Sequence, residues 1–131
     1  MSRENVEVVR AGFEAFDRGD WDGLLGLLDP AVEWETTGQF LEGGAFRGPA
    51  GVREFLGLLS GEFEEFRARA DNFVDRGEVV VADVHTTGIG RRSGAPAAVD
   101  FTLLASLRDG RLVHLRNFMD RSEAFEAAGL A

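Results

Sequence analysis

The residues whose types and spacing suit chemistry fall on three neighbouring predicted strands: His85, Thr87, Asp100, Thr102 and Asn117. Residues 99–120 read as two strands around Asp109-Gly110, a dipeptide that favours a tight two-residue hairpin turn. Pairing Leu107 with Leu112 sets Thr102 opposite Asn117, Asp100 opposite Met119 and Leu104 opposite Leu115, all on one face. A second turn at Ser93-Gly94 pairs His85 with Thr102 and Thr87 with Asp100, which adds both to that face. A one-residue slip would exchange the faces, because side chains alternate with period 2. On this register His85, with an ordinary pKa near 6.5, is an acid/base, and Asp100 holds it or acts as an acid. Thr87, Thr102 and Asn117 donate hydrogen bonds to a carbonyl or a developing oxyanion. The class of reaction is proton transfer beside a carbonyl, without a cofactor: isomerisation, aldol-type cyclisation or dehydration.

The composition removes several alternatives. The chain has 131 residues and a net charge of −9, one domain (residues 1–131) whose acidic surface repels phosphate backbones, so no nucleic-acid partner is expected. Cysteine is absent, which excludes disulfides, a thiol nucleophile and a thiolate metal site. The two histidines lie on different strands, so a histidine-rich metal site is not expected unless carboxylates supplement it, and no metal is expected. No apolar run approaches the ~20 residues of a membrane span, and the first residues have no signal-peptide core. A cytoplasmic protein without a membrane partner is expected.

The elements that must position those residues follow from hydrophobic period. Val6, Val9, Phe13 and Phe16 form one stripe of a helix over 2–18, with Ser2 as N-cap and Gly19 as stop. Asp20 caps a second short helix that Pro30 ends. Residues 32–36 alternate as a strand, with Val32 and Trp34 on one side and Glu33 and Glu35 on the other. Residues 37–51 are glycine-rich without a period and read as a long loop, with Phe40, Leu41 and Phe46 as apolar points. Pro49 suits a helix first turn, and Val52, Phe55, Leu56, Leu59 and Phe63 mark that helix. Strands over 66–75 and 78–89 follow; the loop between them has two or three residues, which leaves the inward side of 66–75 open. Asp120 and Glu123 form a capping box for a last short helix. The order defines an α+β fold: a strongly curved antiparallel sheet wrapped against N-terminal helices, enclosing a cone-shaped pocket for a small hydrophobic molecule.

Four runs carry a family resemblance: FEAFDRGDWDGLLGLLDPAVEWE at 13–35, FRGPAGVREFL at 46–56, LRDGRLV at 107–113 and DRSEAFEAAGL at 120–130. They resemble the SnoaL-like, polyketide-cyclase-like branch of the nuclear transport factor 2-like superfamily, over essentially the whole chain. The resemblance implies the fold; it leaves function open, since the superfamily holds isomerases, cyclases, dehydratases, epoxide hydrolases and members that only bind. Laid without gaps on ketosteroid isomerase, residues 29–35 put that family's general-base aspartate on Glu35. Its oxyanion-hole tyrosine falls on Gly12, which has no donor, and its oxyanion-hole aspartic acid on Thr102. The Asp-Arg-Asp arrangement of limonene-epoxide-hydrolase relatives is not matched, because Arg116 takes the other face.

The leading expectation is therefore a SnoaL-like acid/base enzyme with Glu35, His85 and Asp100 handling protons and no cofactor. Its ligand would meet Thr87, Thr102, Asn117, Trp34, Leu104, Leu115 and Met119. Whether Glu33 or Glu35 reaches the pocket is left open. The alternatives are a non-catalytic binding protein using the same cavity and an interaction module. The opposite sheet face, with Phe101, Leu103, His114, Arg116 and Phe118, is too apolar for water and is expected to form a homodimer.

Overall fold

The computed structural model describes residues 2–36 and 44–130. Its elements are α1 (Ser2–Arg18), α2 (Trp21–Leu25), β1 (Leu28–Thr36), β2 (Gly44–Arg47), α3 (Gly48–Glu62), β3 (Phe63–Arg76), β4 (Val79–Gly90), β5 (Pro96–Arg108), β6 (Arg111–Phe118) and α4 (Arg121–Ala127). The strands form one open mixed sheet in the order β2-β1-β6-β5-β4-β3, in which only the β1–β6 pair is parallel. The α+β architecture is the one the sequence implies.

Local chemistry explains most boundaries. Gly19 takes φ +70°, the left-handed stop of α1, and Asp20 accepts from the Gly23 N–H at 2.9 Å to start α2. The Ser2 side chain, Phe40 and Leu41 lie outside the described residues. The second helix is shorter than its leucines suggest, because Leu28 already pairs with Leu112 on β6. Pro30 therefore sits inside β1, within the irregularity between Leu28 and Glu33 where pairing with β6 shifts, a place that needs no N–H donor. Part of the expected 37–51 loop is β2, whose Phe46 lies 4.8 Å from the Phe55 ring. Pro49 stands in the first turn of α3.

Two turns and three bulges decide the faces. Arg76 pairs with Val79, so the β3–β4 loop has two residues. Asp109 and Gly110 take φ +53° and +76°, the left-handed pair of a tight hairpin turn. Beyond Leu107–Leu112, however, Ser106 pairs with His114, leaving Val113 as an extra residue on β6. In β3 two further bulges lie beside Glu65 and Asn72, both at φ +53°; bulges raise local twist and curl the sheet.

Helices α1, α2 and α3 cover the inner face. It carries Trp34, Ala68, Val80, Val84, Thr86, Phe101, Leu103, Ala105, Leu112, Leu115 and Asn117. The outer face carries Glu33, Glu35, Asp83, His85, Asp100, Thr102, Leu104, His114, Arg116 and Phe118. Helix α4 packs on β5 and β6, and its Arg121 reaches Asp83 on the outer face at 3.0 Å. The residues expected to form one dimer face are thus divided: Phe101 and Leu103 point in, His114, Arg116 and Phe118 point out. The extra residue at Val113 is the reason.

Candidate functional site

Between the helices and the inner face lies a cavity of about 100 Å³, several times the ~15 Å³ that one water needs. Phe13 and Phe16 from α1, Phe55 from α3, Phe66 from β3, Phe101 from β5 and Trp34 from β1 line it. Trp34 and Phe55 meet edge to face, with centroids 5.1 Å apart and planes at 66°, the geometry aromatic quadrupoles favour. Gly12 also lines the wall, so the place the ketosteroid-isomerase alignment gives to a tyrosine holds no hydroxyl.

Among the described residues, three lining side chains besides the Trp34 indole carry polar atoms: Thr36, Thr86 and Asn117. The Thr86 hydroxyl donates to the Val99 carbonyl at 2.6 Å, and Thr36 donates to the Gly44 carbonyl at 3.3 Å. The Trp34 Nε1–H donates to Asn117 Oδ1 at 3.2 Å. No carboxylate and no imidazole is among the described lining residues.

Of the expected site residues, Trp34, Leu115 and Asn117 stand in the cavity wall. Thr102 and Leu104 are buried on the outer face, Thr87 is exposed, and Met119 lies exposed beyond the end of β6. The three proton-handling candidates are all outside the cavity, in two clusters. His85 sits between Asp100, 3.0 Å from Nδ1, and Asp71, 3.2 Å from Nε2. Its register with β5 is two residues from the expected one, so Asp100 rather than Thr102 is its direct partner. Thr102 instead donates to Asp83. Glu35 lies on the far side of β1 from Trp34, 2.5 Å from His114 Nε2 and 3.8 Å from Arg116. Glu33 shares that side and pairs with Arg47 at 2.7 Å, so neither glutamate reaches the pocket. Sequence reasoning placed Phe13, Phe16 and Phe55 in the core and passed over Thr36, Thr86 and Phe101 as cavity residues.

The outer clusters have their own electrostatics. Hydrogen bonding to Asp100, and then to Asp71, raises the His85 pKa above its ordinary value. Burial pushes Asp83 up, but hydrogen bonds from Asn72 and Arg121 outweigh it and hold its carboxyl low. The Arg47 hydrogen bond lowers Glu33. A histidine with a raised folded pKa stabilises fully below its unfolded value of about 6.5, and that stability is lost as pH rises through the folded value. The parent protein should therefore lose stability relative to His85→Gln between pH 5.5 and pH 8.5. At this partly exposed site the effect stays below about 1 kcal/mol. Urea denaturation of both proteins across that range checks it; an unchanged difference contradicts it.

Among the described residues, Glu33, Glu35 and His114 present ligand atoms all within 4.8 Å of one another, the one trio that could hold a cation. Arg47 and Arg116 already face those carboxylates.

A curved sheet covered by three helices over an aromatic cavity is the architecture of this chain. The chain belongs to the SnoaL-like domain family, whose sequence profile matches residues 9–115. A nuclear transport factor 2-like protein of unknown function from Burkholderia pseudomallei is similar at 27% identity and TM-score 0.80, over 94% of this chain and 95% of that one. TerC, crystallised with polyporic acid, is similar at 28% identity and TM-score 0.79, over 95% and 96%. A nuclear transport factor 2-like protein from Burkholderia xenovorans shares 26% identity at TM-score 0.79, over 97% of both chains. No curated protein matches the chain. No helix among the described residues is long and apolar enough to cross a membrane.

Proposed function

We propose that this protein binds a small, flat, hydrophobic compound in the cavity beneath α1 and α3, and that it acts by enclosing that compound. The observation that carries the reading is the chemistry of the wall: among the described residues it is made of aromatic and aliphatic side chains and three small polar ones, with no titratable group. Desolvation of a ring against such a wall supplies the affinity. All fourteen basic residues are arginine, and the chain has no cysteine or tyrosine. No lysine amine or thiol is thus present for covalent chemistry. The similar protein TerC was crystallised with polyporic acid, which agrees with a ligand site in this fold. The acid/base enzyme expected from Glu35, His85 and Asp100 would have to work on the outer face of the sheet, away from the cavity.

A single-ring probe tests the reading. α-Methylstyrene should give saturable shifts of amide signals around the cavity in a heteronuclear NMR titration. Ala68→Leu, which adds volume at a lining position, should weaken binding about tenfold or more. Glu35→Gln should leave it unchanged. Binding that survives Ala68→Leu intact, or falls in Glu35→Gln, would move the site out of the cavity.

A further inference from the structure

We infer that Asn117, oriented by Trp34, selects ligands that present a hydrogen-bond acceptor, such as a carbonyl or ether oxygen, to one end of the cavity. The inference rests on the proposed binding function and names the class of compound bound. An indole N–H only donates, so the group it meets on Asn117 must be the amide oxygen. The 3.2 Å contact from Trp34 Nε1 therefore fixes which way the amide points. The amide NH₂ is left without a protein partner among the described residues, on a side chain that lines the cavity.

The other polar lining groups do not duplicate it. Thr86 and Thr36 spend their hydroxyl protons on the carbonyls of Val99 and Gly44, so toward a ligand they accept. Thr86 is also remote. It pairs with Val99, while Asn117 pairs with Leu103. Two strand spacings across and four residues along separate them by roughly 16 Å. Gly12 contributes no hydroxyl. Among the described lining side chains, the Asn117 NH₂ is thus the donor free to meet a ligand. An acceptor placed there gains a hydrogen bond from the amide. A hydrocarbon of the same shape leaves the amide NH₂ without a partner.

Two planar isosteres read this directly: acetophenone, which carries a carbonyl, and α-methylstyrene, which carries a methylene in its place. In the parent protein acetophenone should bind about threefold to tenfold more tightly. Asn117→Leu should bring the ratio of the two affinities to about one. Asn117→Asp keeps an acceptor for Trp34 but has no donor at neutral pH. It should lower the ratio to one or below, which preserves the test if the leucine variant does not fold. Trp34→Phe frees the amide to turn, and should lower the ratio even where both affinities fall. Each readout is a ratio, so a general loss of packing cancels. Equal affinities in the parent overturn the inference and leave the binding function standing. A ratio unchanged in both Asn117 variants overturns it as well, and an unchanged ratio in Trp34→Phe overturns the orienting role of Trp34. Failure of both probes to bind the parent overturns the binding function itself.

Discussion

Val84→Asp is expected to cost about 4 kcal/mol or more at neutral pH, a large part of the 5–15 kcal/mol that a domain of this size has. Val84 is fully buried on the inner side of β4, paired with Ala70 on β3 and Phe101 on β5. Aspartate is close to valine in size, so the cost comes from charge rather than volume. Burial raises the carboxyl pKa in the folded state above the ordinary value near 3.9. The penalty therefore appears above the unfolded pKa and grows until the folded pKa is reached. In acid it shrinks, because the folded protein takes up the proton. Val84→Asn is the control, with similar size and polarity and no titration. The stability difference between the asparagine and aspartate variants, from urea denaturation, should widen from pH 4.5 to pH 7.5. A constant difference, or near-parental stability of the aspartate variant, would mean that water or a basic partner reaches this point of the sheet.

Residue parity explains which parts of the molecule could be read from sequence. Helices α1 and α3 announce themselves through apolar stripes, and the α1 stop and the α2 and α4 caps are local: Gly19, Asp20 and Asp120 act on backbone a few residues away. The Asp109-Gly110 turn is equally local. Faces are not, since each strand inherits its parity from every bulge before it. Leu112 and Leu115 both point inward, three residues apart. Strict alternation cannot satisfy that spacing, and only the extra residue at Val113 can. Carrying a regular period through β6 placed Leu115 and Asn117 correctly and took β5 with them on the wrong side. Asp100 and Thr102 then came inward in place of Phe101 and Leu103. The grouping of His85 with Asp100 and Thr102 survived, because the error in the β4–β5 register was two residues, an even number. What changed was the side of the sheet on which the group stands. The odd spacing of the leucines and the apolar run Phe101, Leu103, Ala105, Leu107 were the signals available.

Trp34→Ala is expected to remove about 3 kcal/mol of stability and to weaken ligand binding about tenfold or more. The indole performs three tasks that other side chains do not cover. It packs edge to face on Phe55, it forms part of the cavity wall, and it holds the Asn117 amide from the neighbouring parallel strand. Truncation leaves a void beside a cavity that already exists, so the wall has little to collapse onto and the cost stays near that of a large core deletion. Trp34→Phe separates the tasks. It keeps most of the apolar contact and loses only the hydrogen bond, for about 1 kcal/mol. Urea denaturation gives the stability order parent, phenylalanine, alanine. The NMR titration should give the same order for α-methylstyrene, with a wide gap only at alanine, because that probe uses the wall and not the amide. If alanine and phenylalanine bound it equally, the ring of Trp34 would not be part of the site, and the cavity would end short of β1.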